Sequence, residues 1–193
     1  MSSERDKLGF AATAEDAFRF LVQDFGFRMV SRAPTFVRYE SQAVFVNIYH
    51  GRSSYEIGIE VGPHAAVVGA AEERFMLADI LETCGEPGGS AFRQAETVEE
   101  VSRYLYELAE LAKKYGVAAF RGEKQFYLQL RETQERLSHE FLFVQGLRRA
   151  LSVASEAFGR GDYRRVVAEL RPFSRYLDKE DTRRLAEAER RIR

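Results

Sequence analysis

The fold is decided by residues 35–61, which read TFVRYESQAVFVNIYHGRSSYEIGIEV. Apolar and polar residues alternate along this stretch, and many of the apolar ones are β-branched or aromatic. Turn residues divide it into strands at 35–40, 43–50 and 55–61, and residues 27–31 form a fourth strand before them. Links this short join antiparallel neighbours, because parallel strands need a long crossover. The sequence therefore predicts a four-stranded antiparallel meander.

The alternation also assigns the side chains to two faces of the sheet, since neighbouring residues in a strand point in opposite directions. One face is apolar and predicts the core: Val37, Tyr39, Val44, Val46, Ile48, Tyr55, Ile57, Ile59 and Val61. The opposite face mixes aromatic, charged and small residues: Phe36, Arg38, Glu40, Phe45, Asn47, Tyr49, Glu56, Gly58 and Glu60.

Helical periodicity surrounds the meander on both sides. A helix is expected from Thr13 to Gly26, and further helices at 71–84, 97–115 and 123–158, the last being one long helix or two. The fold class is therefore α+β: an N-terminal helix, a four-stranded antiparallel β-meander and a mainly helical C-terminal half. We expect a sheet domain with helices at 1–121 and a helical region at 122–193. The two either stand apart or pack as a single unit.

Near the C-terminus, Ala154, Ala157 and Phe158 precede the step Gly161-Asp162-Tyr163, which is followed by Val166, Leu170 and Pro172. Residues 150–190 thus resemble a tetratricopeptide helix pair, in which such a step marks the turn between two helices. The match is partial: Val166 stands where a small residue is expected, Pro172 comes early, and no second copy follows at the 34-residue period. The resemblance implies a protein-binding helix pair, and an ordinary helical hairpin is the alternative.

Composition places the chain among globular proteins, with 193 residues, 45% hydrophobic and 31% charged. Cys84 has no second cysteine to pair with, which favours a reducing, cytoplasmic location. A charged N-terminus and the lack of an apolar run of about 20 residues predict neither a signal peptide nor a membrane span.

The charge is divided unevenly along the chain. The net charge is −1, but residues 148–193 hold twelve Arg and one Lys against eight acids, so they carry +5 and the first 147 residues carry −6. An arginine-rich C-terminus, including Arg183, Arg184, Arg190, Arg191 and Arg193, makes a nucleic-acid-binding accessory protein one alternative function. The interleaved Glu187 and Glu189 favour a solvated amphipathic helix instead.

Familiar catalytic and cofactor motifs are missing from the sequence: it has no P-loop, no dinucleotide-binding glycine pattern, no H-E-x-x-H and no G-x-S-x-G. His50, His64 and His139 are scattered, so we predict neither a metal nor a cofactor. Cys84 ends an apolar helical pattern and is expected to be a small buried residue.

The mixed sheet face and the adjoining hairpin are the candidate interaction surface, formed by Phe36, Arg38, Phe45, Asn47, Tyr49, His50, Arg52, Glu56 and Glu60. Aromatic residues beside arginine are typical of interface centres. A later helix that covers this face would make its aromatic residues a second core.

These features favour a soluble adaptor or regulatory protein that binds a protein partner without catalysis. Its size and fold class are similar to those of bacterial immunity proteins. An enzyme that uses His50, Arg52 and Glu56 is another alternative.

Overall fold

The computed structural model describes residues 7–51, 53–64 and 71–193. The chain forms two compact units, Met1–Gln134 and Glu135–Arg193. The predicted fold class is confirmed: helices come first, an antiparallel sheet follows, and the C-terminal half is mainly helical.

The N-terminal helical region is split into α1 (Phe10–Ala17) and α2 (Arg19–Phe25). The split lies at Phe18, whose φ of −99° and ψ of 15° depart from helical values. Gly26 then ends α2 in the left-handed conformation, with φ of 69°, which glycine adopts at little cost.

The four predicted strands are β1 (Arg28–Ala33), β2 (Phe36–Glu40), β3 (Val44–His50) and β4 (Glu56–Pro63), and each pairs antiparallel with the next. Two short strands that the sequence pattern did not predict, β5 (Phe75–Met76) and β6 (Arg93–Gln94), both pair with β4. As a result, residues 75 and 76 belong to the sheet, and the helix expected from residue 71 begins only at Leu77.

The core of the first unit lies against the apolar face of the sheet. Eight of the nine residues predicted for that face are 3% exposed or less, whereas Tyr55 is half-buried and precedes β4. Helix α1 and the two helices α4 (Val98–Tyr115) and α5 (Val117–Phe120) contact the sheet. This unit also contains α3 (Leu77–Thr83) and a 3-10 turn at Gly88–Ala91. Thr97 caps α4, accepting a hydrogen bond from the backbone N–H of Glu100 at 3.2 Å.

Strand β1 is the end strand of the sheet and is irregular. Its pairing with β2 shifts between Met29 and Ser31, which marks a β-bulge. Met29 and Val30 are 43% and 46% exposed, so this strand adds little to the core.

The second unit contains the part of α6 (Lys124–Gly159) that starts at Glu135, together with α7 (Tyr163–Leu170), a 3-10 turn at Arg171–Phe173 and α8 (Lys179–Arg191). The 123–158 region is thus one continuous helix. The turn predicted at 161–163 is present: Gly161 has φ of 76°, and the side chain of Asp162 caps α7 by accepting a hydrogen bond from the backbone N–H of Arg165. The core of this unit is small: Ala154, Ala157, Val166, Val167, Leu170, Leu185 and Ala188.

Within the described ranges, no helix has both the length and the apolar character that a membrane-spanning segment needs.

Gly62 in β4 is a position where the backbone leaves no room for a side chain. A Cβ atom at this position would lie 1.9 Å from the carbonyl oxygen of Glu73 and 2.8 Å from the ring of Phe45. We expect Gly62→Ala to lower the free energy of unfolding by about 1–3 kcal/mol, because the segment around Glu73 must move away from the sheet. Urea denaturation followed by circular dichroism measures the change.

The matched control is Gly89→Ala, since a Cβ there meets no atom within 4 Å. Equal stability of the two variants would show that the segment around Glu73 is not held against β4.

Candidate functional site

The mixed face of the sheet is organised around Arg38, which lies on β2. Its guanidinium group donates two hydrogen bonds to the carboxylate of Glu72, at 3.0 and 2.5 Å, and a third to Glu40 at 2.7 Å. The same group lies over the ring of Phe45, 4.3 Å from its centroid, which is cation–π geometry. Arg38 is therefore held from three sides, with its side chain only 17% exposed.

A second polar group lies beside it on β3 and β4. Asn47 is 2% exposed, and its amide donates a hydrogen bond to Glu60, its partner in the strand register, at 3.1 Å. Glu60 in turn forms an ion pair with Arg74 at 3.6 Å. A buried amide without such partners would be costly, so these contacts let β3 bury its polar face.

Both polar groups, the one around Arg38 and the one around Asn47 and Glu60, receive a partner from the same segment of the chain. Glu72 and Arg74 belong to the segment that leads into β5, and the same segment places the carbonyl of Glu73 against Gly62. In the described part of the chain, the charged partners of Arg38 and Glu60 that lie outside β1 to β4 thus come from this segment rather than from a later helix. Sequence reasoning missed Glu72, because 34 residues separate it from Arg38 and no periodic pattern links them.

Pairing with Arg38 has an electrostatic consequence. Hydrogen bonds from the Arg38 guanidinium hold the pKa of Glu72 below its ordinary value of 4.5, so this carboxylate is ionised at neutral pH. The pKa of Arg38 is raised by the same hydrogen bonds. Neither group is free to act as an acid or a base near neutral pH.

The aromatic residues of this face are half-buried or buried. Phe45 is 0% exposed, while Phe36 and Tyr49, paired in the strand register, are half-buried. The ring of Tyr49 covers Gly58, where a Cβ would lie 2.1 Å from it. Burial raises the pKa of Tyr49 to about 12, and the carboxylates of Glu60 and Glu56 add to the shift, so its hydroxyl stays protonated at neutral pH.

His50 lies on the other side of the sheet from Tyr49, Glu56 and Glu60. It is 2% exposed and stacks on Phe10, with ring centroids 5.7 Å apart, while Nε2 donates a hydrogen bond to the carbonyl of Ala95 at 2.8 Å. His50 is therefore a core residue, and it does not converge with Glu56. Arg52, the third member of the predicted catalytic group, lies outside the described residues.

Other candidate reactive groups are dispersed. Among the described residues, no group of three or more His, Cys, Asp or Glu side chains is arranged to hold a metal ion. Cys84 is exposed rather than buried as expected, with its Sγ 3.9 Å from the carbonyl of Tyr115, and its partial burial raises the pKa of the thiol.

A cavity of about 470 Å³ lies beside β3 and the first turns of α6. Its walls are Ala43, Val44, Pro63, Gly122, Lys124, Tyr127, Leu128 and Arg131. Arg131 is bound to Glu73 by two hydrogen bonds of 2.6 and 2.7 Å, which leaves Lys124 as the charged wall residue without an ion pair among the described residues. One amine on apolar walls provides no acid–base pair for catalysis.

The arginine-rich C-terminal region carries acids that pair with its arginines. Arg184 bonds to Glu180 at 3.0 Å and also to Asp181, and Arg191 bonds to Glu187 at 3.2 Å. These contacts join residues three or four positions apart on one helix, as expected for a solvated helix face.

A different surface is exposed and apolar. Phe141, Leu142, Phe143 and Val144 on α6 are 62%, 67%, 36% and 42% exposed. Residues on an α-helix point about 100° apart, so these four side chains surround the helix. We name Phe141–Val144 the α6 apolar segment. The sequence carried a signal of this: four consecutive apolar residues in a helix point in four directions, so no single packed face can bury them all.

One side of the α6 apolar segment continues onto the chain that follows α7. The ring of Phe143 lies 5.6 Å from that of Phe173 and 4.6 Å from that of Tyr176. Tyr176 is itself 63% exposed, so the apolar surface extends across it. All of these residues belong to the second unit.

Comparison with protein-family models, curated proteins and solved structures finds no match to this chain. The tetratricopeptide resemblance of residues 150–190 therefore stays a prediction from the sequence.

The Glu72–Arg38 contact generates a prediction about acid stability. A carboxylate whose pKa is lowered by folding stabilises the protein above its unfolded pKa, and this contribution is lost as the pH falls through the folded value. We expect Glu72→Gln to reduce the free energy of unfolding by about 1 kcal/mol at pH 7 and to flatten its decline below about pH 4.5. Urea titrations over a pH series measure both effects.

Glu110→Gln is the control, because Glu110 is exposed and has no ion-pair partner in the described part of the chain. A Glu72→Gln curve parallel to that of the unmodified protein at all pH values would contradict the assignment.

Proposed function

We propose that this chain is a cytoplasmic, non-catalytic protein that binds another polypeptide through its second unit and acts as an adaptor or regulator. The α6 apolar segment carries the proposal. Single exposed apolar residues are common on protein surfaces, but a continuous exposed patch is typical of an interaction site.

The composition of the patch supports a role in binding. Phe141, Phe143 and Tyr176 are aromatic, and aromatic residues supply much of the binding energy in protein interfaces. The core of the same unit consists mainly of alanine, valine and leucine, so its largest apolar side chains lie outside the core. Burial against a partner would remove this surface from water, at about 25 cal/mol for each Å².

The predicted surface on the sheet supports binding less strongly than the α6 apolar segment. Arg38, Asn47 and Glu60 already have partners within the chain, and Phe45 is fully buried. A ligand for these groups would first have to break charge-assisted hydrogen bonds. We therefore assign the contact to α6 and a structural role to the mixed sheet face.

A site-specific photocrosslink tests the proposal. With p-benzoylphenylalanine at position 142, we expect a discrete covalent adduct with a protein after irradiation of cells that produce the chain. Position 98 is the matched control, because Val98 is also apolar and 49% exposed but stands outside the α6 apolar segment. Gel mobility and mass spectrometry identify the adducts.

A second variant connects the adduct to the patch. Phe141→Ser, combined with the crosslinker at position 142, should reduce the yield several-fold, because loss of a central aromatic contact weakens binding. The proposal fails if position 142 gives no adduct, or if positions 142 and 98 give the same set of adducts.

A further inference from the structure

The pattern of charges around Leu142 identifies a partner for the α6 apolar segment. Glu135 lies seven residues before Leu142, and Arg149 lies seven residues after it. Seven residues are close to two helical turns, with a drift of about 20°, so all three side chains lie along one side of α6. This side therefore carries an acid at one end, an apolar residue at its centre and a base at the other end.

Neither charge at the ends is used within the described part of the chain. Glu135 and Arg149 are both exposed, and neither forms an ion pair with a described residue. Their neighbour Arg136 differs, since it bonds to Glu140 on the same helix at 3.0 Å. Glu135 and Arg149 are therefore available to an external partner.

From this symmetry we infer that the partner is a second copy of this chain, bound antiparallel along α6 with Leu142 at the two-fold axis. The inference rests on the proposed function, since it uses the same patch. In this arrangement Leu142 contacts Leu142 of the other copy, and Glu135 meets Arg149 twice, about 10 Å from the axis on either side. A parallel arrangement would instead place Glu135 beside Glu135 and Arg149 beside Arg149, which repel each other.

The apolar residues are compatible with this axis. Leu142 is central on this side of α6, and Phe141 lies about 100° to one side of it. Phe143 lies about 100° to the other side and is turned towards Phe173 and Tyr176 of its own unit. A partner of unrelated sequence would have no need for opposite charges at equal distances from one leucine. An antiparallel two-fold contact pairs each of these charges with its opposite, because residue i of one copy meets residue j of the other and residue j meets residue i.

Charge exchange tests the inference. At concentrations up to about 100 µM, well above a dissociation constant of about 1 µM, we expect sedimentation equilibrium to show a dimer of the full chain. Glu135→Arg or Arg149→Glu alone should weaken the dimer about tenfold or more at low salt, because each creates two like-charge contacts. The double variant Glu135→Arg/Arg149→Glu should restore affinity to within about threefold of the unmodified protein, since the opposite charges meet again.

Two further variants complete the design. Leu142→Lys should abolish the dimer by placing two ammonium groups at the axis. Arg164→Glu, an exposed arginine on α7 with no ion-pair partner among the described residues, should leave the dimer unchanged. Circular dichroism melting curves identify any variant that has lost its fold.

Three outcomes overturn the inference: a monomer at every concentration, no rescue by the double charge exchange, or a dimer that Leu142→Lys leaves intact. If the chain is monomeric but position 142 crosslinks to a different protein, the proposed function stands and only the second copy is wrong. If position 142 gives no adduct with any protein, both proposals fail.

Discussion

Strand β3 is buried on both of its faces, although only one of them is apolar. Val44, Val46 and Ile48 pack into the core, while Phe45 and Asn47, on the opposite face, are 0% and 2% exposed. A buried amide and a neighbouring guanidinium need partners when they leave water. The segment around Glu72 and Arg74 supplies these partners. This segment lies against β4 through the close approach at Gly62 and the pairing of β5 with β4. The mixed sheet face is thus explained by the need to cover β3.

The meander could be predicted because alternation, β-branched residues and short turns all agree over 27 residues. The same alternation, followed one residue further, places His50 with Ile48 on the core side. Grouping His50 with Tyr49 and Glu56 by their nearness in sequence was the error, because adjacent strand residues face opposite ways. Strands β5 and β6 have two residues each, which is too short for a period to show. The role of Glu72 depends on a contact between distant parts of the chain, and no local pattern encodes such a contact.

In the second unit the local turns and caps follow simple rules, whereas the packing of its side chains cannot be read from periodicity. Its turn at Gly161 and its caps at Asp162 and Asp178 follow local rules, and the sequence indicated the turn. Its core is nevertheless made of small and medium side chains, while Phe141, Leu142 and Tyr176 stay in contact with water. Periodicity alone describes such residues as part of a packed stripe. Only the packing of the folded chain distinguishes a stripe that is covered from one that is available to a partner.

The β-bulge in β1 has a consequence for a protein that exposes this much apolar surface. An end strand with regular pairing is a template onto which further strands can add, and growth of that kind leads to fibres. The bulge between Met29 and Ser31 disturbs the hydrogen-bonding register, and Arg28 and Arg32 place positive charge on the same short strand. Both features discourage edge-to-edge growth of the sheet. The chain can therefore expose the apolar side chains of α6 to solvent while its sheet resists open-ended aggregation.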